Sequence, residues 1–169
     1  ISWPLFAEIR QEWRGRIDLQ DSSLCGIDIA VEPGYLDRMA SVATATGSGL
    51  GCVTYMSPNL PGGLDAIFRT ALDAGLPLDF HVDETLDPAA DSLRQIAEAA
   101  IRHGWRANGR GTIVVGHCCS LSVQADEVVS ATLDRIAEAG LAVVSLPMCN
   151  MYLQDRQAGR TPRRRGVTL

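Results

Sequence analysis

The stretch Leu78-Asp79-Phe80-His81-Val82-Asp83-Glu84 alternates apolar and polar side chains. This alternation predicts a strand, because successive side chains in a strand point to opposite faces. A parallel strand that is covered on both faces is nearly continuous in aliphatic residues, whereas one face of this strand is polar. In a barrel, this polar face would point into the interior at the carboxyl end of the strand, where ligands are bound. We therefore predict that Asp79, His81 and Asp83 share the site-facing side.

Four more strand-like runs flank this one, with amphipathic stretches between them. The predicted strands are 17–22, 50–55, 78–82, 112–117 and 141–148. The predicted helices are 2–13, 35–45, 64–74, 88–103 and 123–139, and three of them should end at Gly75, Gly104 and Gly140. Successive strands start roughly 30 residues apart, the size of one strand with its crossover helix, which predicts a parallel α/β sheet.

Two architectures satisfy this repetition. An open doubly wound sheet fits five strands and 169 residues outright. A closed (β/α)8 barrel needs eight strands and typically about 250 residues. Length alone favours the open sheet.

Composition excludes several functional classes. The formal net charge of −5 and the pI near 5.1 argue against the broad basic surface of a general nucleic-acid binder. All 15 basic residues are arginine, which excludes a Schiff-base lysine and a P-loop lysine within the chain. Apolar runs fall well short of the roughly 20 residues that cross a bilayer, and we see no signal peptide. Five cysteines without a CxxC pair favour a reducing compartment, so we expect a cytoplasmic protein.

Two of the three histidines end consecutive predicted strands, His81 at 78–82 and His117 at 112–117. Matched positions at adjacent strand ends favour a shared site over unrelated core histidines. Glu84 can share that site only if the chain bends directly after the strand. Imidazole is a common ligand of zinc or iron, and a carboxylate beside a metal-activated water moves protons in hydrolases. The third histidine, His103, lies at a predicted helix C-terminus. A favourable interaction with the helix dipole is sufficient reason for a histidine there.

Three further features receive structural interpretations. Cys118 and Cys119 are expected to be packing residues at a crowded strand end rather than redox or ligand groups. Gly62 and Gly63 lack the spacing of a phosphate-binding loop and predict a turn into the next helix. The arginine-rich tail 155–169 predicts a solvated loop rather than an anion site.

Three segments together resemble the bacterial cytosine deaminase branch of the amidohydrolase superfamily. They are His81-Val82-Asp83-Glu84, Gly116-His117, and the run 146–156 followed by 161–168. The segments occur in the family's order, and the resemblance covers most of the chain. It implies a TIM barrel of the metal-dependent hydrolase type. Residues 1–169 would form a single incomplete barrel domain, from the second crossover helix through the seventh strand.

The resemblance also implies the chemistry, which is hydrolytic deamination. His81 would be a ligand of one catalytic iron or zinc ion at the end of the fifth barrel strand. Glu84 would be the acid/base that shuttles protons, and His117, ending the sixth strand, would orient or polarise the metal-activated water. The family's H-x-H pair and its eighth-strand aspartate have no counterpart in these residues.

The implied substrate is cytosine or a related aminated heterocycle. In cytosine deaminases a glutamine after the third strand recognises the pyrimidine amide edge, whereas the corresponding run here is 24–28, with Gly26 or a neighbour at that place. A different heterocycle is therefore open, because a pocket built for one ring edge discriminates against another. We also expect a homo-oligomer, because missing strands leave the sheet unclosed.

Two other functions stay open at this stage. The absent ligands allow a non-catalytic α/β binding or oligomerisation module in which His81 and His117 are polar core residues. The strand count allows a flavodoxin-like open sheet that binds a nucleotide at a topological switch point.

Overall fold

The computed structural model describes residues 2–154, 158–159 and 166–167, and its strands form one parallel sheet. The strands are β1 (Cys25–Gly26), β2 (Leu50–Thr54), β3 (Leu78–Val82), β4 (Ile113–His117) and β5 (Leu141–Val144). The helices are α1 (Ser2–Glu12), α2 (Tyr35–Thr46), α3 (Leu60–Ala74), α4 (Ser92–Arg102), α5 (Asp126–Ala139) and α6 (Pro147–Gln154).

The spatial order of the strands equals their order in the chain, and every neighbouring pair is parallel. A doubly wound sheet has a point where the strand order reverses, and the sheet of described residues has none. Crossovers that always advance in the same direction are those of a β/α barrel. The open doubly wound sheet and the flavodoxin-like alternative are therefore wrong, and the chain forms part of a TIM barrel.

The hydrophobic core lies between the sheet and the helices. The apolar side chains of β3 are buried in this core: Leu78, Phe80 and Val82. Asp79 and His81 alternate with them and are half-buried on the other side of the strand. The alternation read from the sequence is therefore present for these residues, and it leaves His81 facing away from the core.

Residues 17–22 do not form the predicted strand, since they contain only an isolated bridge at Ser22. Arg10 of α1 binds this segment instead. Its guanidinium donates to the Leu19 carbonyl oxygen at 3.1 Å and pairs with the Asp21 carboxylate. Because a side chain satisfies these groups, the segment is a loop tied to α1, and the sheet begins at β1.

The last strand also differs from its prediction. β5 ends at Val144 rather than at residue 148, and α6 begins at Pro147. Proline cannot donate to a strand ladder, and its fixed φ suits the first turn of a helix. The apolar run 141–148 is thus divided between a strand and a helix.

Helix starts were the least accurate part of the prediction. α3 begins at Leu60, so Gly62 and Gly63 lie inside this helix and not in a turn before it. Proline at the start of α3 permits this early beginning. α4 and α5 start four and three residues later than predicted, at Ser92 and Asp126. The predicted helix ends fare better, since each of the glycines assigned to them has positive φ: Gly75, Gly104 and Gly140.

Within the described ranges, no helix combines the length and the apolar character that a membrane crossing requires. The prediction of a solvated basic tail concerns residues that lie mostly outside those ranges, including Arg156, Arg160 and 163–165.

Candidate active site

The register of the sheet places two histidines at its carboxyl edge. His81 pairs with Gly116 and Val82 pairs with His117, so the imidazoles lie side by side at the ends of β3 and β4. His81 Nδ1 lies 3.2 Å from His117 Nε2. Thr54 of β2 supports the strand end, since its hydroxyl donates to the His81 carbonyl oxygen at 3.2 Å.

Glu84 reaches both imidazoles although it lies beyond the strand. Its Oε1 atom is 3.2 Å from His117 Nε2 and 3.8 Å from His81 Nδ1. The chain bends at Asp83, whose φ is 45°. The structure therefore brings together the three residues that the sequence selected, through the bend that the sequence required.

Asp83 does not lie on the site-facing side where the alternation placed it. Its side chain is buried, and Oδ2 accepts a hydrogen bond from the Leu93 backbone N–H at 3.2 Å. The carboxyl group therefore joins the end of β3 to the first turn of α4. Burial raises the pKa of this carboxyl group. The prediction failed because the positive φ takes the residue out of strand geometry.

Unfavourable backbone conformations are concentrated at this edge. Among the described non-glycine residues, positive φ occurs at Asp83, His117 and Cys118. Such conformations persist only where the surrounding structure holds them, and they cluster at functional sites. One restraint is the Cys118 N–H, which donates to the Val82 carbonyl oxygen at 2.9 Å.

Cys118 and Cys119 are fully buried, which agrees with a packing role. Burial raises the pKa of the Cys118 thiol to about 12 and that of the Cys119 thiol to about 11. Thiols with these pKa values are protonated at neutral pH, so neither residue is a thiolate nucleophile.

His117 is the more enclosed of the two site histidines, with a side chain 7% exposed against 37% for His81. Burial lowers the pKa of His117, and the neighbouring Glu84 carboxylate opposes this effect. His117 is therefore neutral near pH 7. A neutral imidazole has one N–H donor and one acceptor nitrogen.

Helix α6 contacts the site through two side chains that are one turn apart. The Asn150 amide nitrogen lies 3.0 Å from His117 Nδ1, and Gln154 Nε2 donates to the Glu84 carbonyl oxygen at 2.9 Å. Residues four apart lie on one helix face. Sequence reasoning gave neither residue a role. Their spacing is the signal that could have found them, once 147–154 is known to be helical.

His103 lies outside this cluster. Its Nε2 atom is 2.9 Å from Asp65 Oδ1, and its ring stacks on Phe68 with centroids 5.6 Å apart. His103 thus links the end of α4 to α3, a contact that the helix-dipole explanation did not include.

His81, Glu84 and His117 offer nitrogen and oxygen donors that lie within 4.8 Å of one another. His81 would be the imidazole ligand, with His117 Nε2 3.2 Å and Glu84 Oε1 3.8 Å from its Nδ1 atom. Imidazole and carboxylate groups suit both zinc and iron. The residues present therefore fit the surroundings of a divalent metal.

The first strand contributes to the same face as His81. Gly26 pairs with Val53, which pairs with His81, so the three residues form one row across the sheet. A Cβ atom at Gly26 would lie 3.3 Å from the Tyr55 hydroxyl oxygen. That hydroxyl donates to Asp28 Oδ2 at 2.8 Å. A tyrosine–aspartate pair therefore borders the place where a longer side chain at Gly26 would stand.

Comparisons with known proteins give relatives over the whole chain. The chain is 45% identical over 169 residues to a pterin deaminase from Rhizobium rhizogenes, and it spans 38% of that protein's length. The 5-methylcytosine deaminase from Klebsiella pneumoniae has the same fold, with a TM-score of 0.79 at 24% identity over 99% of this chain and 40% of that one. The N-isopropylammelide isopropylaminohydrolase from Burkholderia multivorans gives a TM-score of 0.65 at 24% identity over 80% of this chain and 34% of that one. No protein-family model matches.

Proposed function

The resemblance of this chain to the deaminase branch of the amidohydrolase superfamily is confirmed, and on this premise we propose that it is part of a metal-dependent enzyme that hydrolytically deaminates a small aminated heterocycle. The observation that carries the proposal is the convergence of His81, Glu84 and His117 at one strand edge. The unfavourable backbone conformations at that edge support a functional site there over a set of polar core residues.

Each residue has a separate role. A divalent iron or zinc ion, with His81 as one ligand, would supply a water of lowered pKa for attack on the amine-bearing carbon. Glu84 takes a proton from the attacking water and passes it to the ring nitrogen. It then takes the remaining proton of the added hydroxyl group and gives it to the amino group, which leaves as ammonia while the C=O bond forms. His117 holds the water and the Glu84 carboxylate in place by hydrogen bonding. Further metal ligands would come from barrel strands outside these residues.

We propose a pterin as the substrate. The relative that is 45% identical is a pterin deaminase, and by the resemblance Gly26 or a neighbour stands where cytosine deaminases have a glutamine. Glycine there removes a side chain that would close on a single ring and leaves room for a second ring. Tyr55 and Asp28, which border this room, offer oxygen acceptors to N–H groups of the substrate. Cytosine is the alternative substrate.

The proposal also covers the domain, the location and the oligomeric state of the enzyme. Residues 1–169 would belong to one barrel domain of a cytoplasmic homo-oligomer. The net charge of −5 supports a small-molecule substrate rather than a nucleic acid.

Ammonia release from pterin and from cytosine by the full-length protein tests this function. We expect release from pterin, its loss after chelation, and its return with iron or zinc. Gly26→Gln should lower the pterin-to-cytosine ratio of kcat/KM by at least about tenfold, because it refills the space for the second ring. Gly111→Gln is the matched control, since a Cβ atom there meets nothing within 4 Å. No ammonia from any aminated heterocycle with the metal-loaded protein would overturn the proposal.

A further inference from the structure

Asn150 is a buried amide of α6 with an imidazole as its neighbour. The residue is 0% exposed, and its Nδ2 atom lies 3.0 Å from His117 Nδ1. Its Oδ1 atom has no hydrogen-bond partner in the described part of the chain. A buried polar group without hydrogen bonds is costly, so the contact with His117 is the compensation that this amide receives.

The direction of that hydrogen bond determines where His117 carries its hydrogen. An amide nitrogen only donates, so His117 Nδ1 must accept, and the ring hydrogen of a neutral imidazole is then on Nε2. His117 Nε2 lies 3.2 Å from Glu84 Oε1. A carboxylate is a strong acceptor for an N–H group. Asn150 therefore donates to His117, and the His117 Nε2–H faces two acceptors, His81 Nδ1 and Glu84 Oε1, each at 3.2 Å.

The surrounding chain holds Asn150 in this position. Gln154, one turn further along α6, donates to the Glu84 carbonyl oxygen at 2.9 Å. Gly166 packs against both side chains, since a Cβ atom there would lie 2.8 Å from Gln154 Cγ and 3.5 Å from Asn150 Cβ. The Gly166 N–H donates to Ser122 Oγ at 3.0 Å. The polar face of α6 is thus enclosed between Gly166 and the ends of the strands.

We propose that Asn150 is a positioning residue that fixes His117 as the Nε2–H tautomer. In this state the imidazole is a hydrogen-bond donor at Nε2, which faces His81 Nδ1 and the Glu84 carboxylate, and it has no Nε2 lone pair for a metal. His81 is then the imidazole ligand that this chain provides. The effect on catalysis rests on the proposed function, whereas the tautomer can be measured without turnover.

NMR of the zinc-loaded full-length protein labelled with ¹⁵N-histidine tests the tautomer. Proton–nitrogen correlation spectra distinguish protonated from unprotonated ring nitrogens, and the His117 signals are those lost in His117→Gln. We expect Nε2–H in the wild type. In Asn150→Asp, whose carboxylate only accepts, we expect a hydrogen on Nδ1. Met148→Leu, at a side chain of the same helix that is 87% exposed, should keep Nε2–H.

Two results would overturn the tautomer assignment: a wild-type His117 with its hydrogen on Nδ1, or an unchanged tautomer in Asn150→Asp. If Asn150→Asp does not fold, as judged by circular dichroism, Asn150→Leu keeps the volume and removes the hydrogen bond. In a Glu84→Gln background, where no carboxylate favours Nε2–H, a fixed Nε2–H preference in Asn150→Leu would also overturn the proposal.

Kinetics then test the positioning role. We expect Asn150→Asp to lower kcat for ammonia release about 10- to 100-fold, with KM little changed, because it alters a group that orients another. Asn108→Asp, the same exchange at an exposed residue, should leave kcat unchanged. A changed tautomer with unchanged kcat would overturn the positioning role. An inactive wild type would count against the proposed function, and the tautomer result would stand by itself.

Discussion

At the carboxyl ends of the strands, the backbone conformation of a single residue such as Cys118 determines where its side chain lies. Cys118 directly follows His117, yet its φ of 50° and its complete burial direct the thiol into the core. His117, with a φ of 70°, keeps its imidazole at the site instead. Neighbouring residues in the chain therefore belong to different environments, one at the candidate site and one in the core.

Thiol reactivity should follow this division. We expect iodoacetamide at neutral pH to label the exposed Cys149 much faster than Cys118 or Cys119, because the thiolate is the reactive form. The pKa values of the two buried thiols, about 12 and about 11, leave little thiolate. Peptide mass mapping of the folded full-length protein measures the three rates. Labelling of Cys118 as fast as that of Cys149 would contradict the assigned packing role.

At the residue scale, the sequence predicts the site well where the signal is periodic. His81 and His117 are found because strand ends in a parallel sheet meet at one edge. Asp83 is misplaced, because no sequence pattern marks a positive φ at a residue other than glycine. Asn150 is missed, because its spacing to Gln154 has meaning only within a helix.

At the scale of single elements, α3 depends on one close approach. Ile27 packs directly on Gly63, where an added Cβ atom would lie 2.7 Å from Ile27 Cδ1 and 3.0 Å from the Ile27 carbonyl oxygen. At Gly62 the nearest atom would be Val31 Cγ1 at 3.8 Å. Gly63 is therefore required for close packing against Ile27, whereas Gly62 has space for a larger side chain.

Alanine substitutions at the two positions should therefore have opposite effects on stability. We expect Gly63→Ala to lower the free energy of unfolding by about 1–3 kcal/mol through overpacking. Gly62→Ala should raise it by up to about 1 kcal/mol, because alanine has the higher helix propensity and fits. Urea denaturation of the full-length variants measures both. A destabilisation of equal size at both positions would show that α3 requires flexibility here and not close packing.

α3 and the end of α4 are joined by Asp65, whose pKa is lowered by Arg102 first and then by His103. A lowered pKa in the folded state means that the ionised carboxylate stabilises the fold at pH values above its ordinary 3.8. This stability is lost as the pH falls through the folded-state pKa. The side chain is 43% exposed, so solvent screens the effect.

We therefore expect Asp65→Asn to lower the free energy of unfolding at about pH 7 by less than about 1 kcal/mol. The difference from the wild type should disappear at about pH 3 or below. Urea denaturation at the two pH values measures it, with Asp73→Asn on the same helix as the control. A difference that grows toward acid pH would contradict the assigned ion pair.

The elements themselves were predictable to different degrees. β3 and β4 are predicted correctly, because each is a strand-like run of residues with a histidine at or next to its end, and in β3 apolar and polar side chains also alternate. The segment 17–22 is mistaken for a strand, because its alternating pattern does not reveal that Arg10 binds its polar groups. α6 is missed, because residues 141–148 are almost all apolar. Hydrophobicity alone therefore does not mark where the strand ends and the helix begins at Pro147.

At the scale of the whole molecule, the described strands form a sheet with β1 and β5 at its two edges. Its site-facing side exposes apolar residues, with Val114 36% and Val144 41% exposed. Unpaired edges and exposed apolar surface favour association with other chains. In a barrel, the remaining strands would cover the unpaired edges and the exposed apolar surface.

A polypeptide of residues 1–169 alone should therefore self-associate. We expect sedimentation velocity to show oligomers or aggregates of this polypeptide, whereas the full-length protein should sediment as a defined species. A compact, stable monomer of residues 1–169 would contradict the part played by the missing strands.

The central claim is that Glu84 moves the proton at a metal site that includes His81 as a ligand, with His117 as a hydrogen-bonding neighbour. The most direct test is kcat for ammonia release by the metal-loaded full-length Glu84→Gln variant, with metal content measured in the same sample. We predict a loss of about 10²- to 10⁴-fold with metal content unchanged. Glu127→Gln, the same exchange at an exposed residue of α5, should keep the wild-type kcat. A wild-type kcat in metal-loaded Glu84→Gln would contradict the claim.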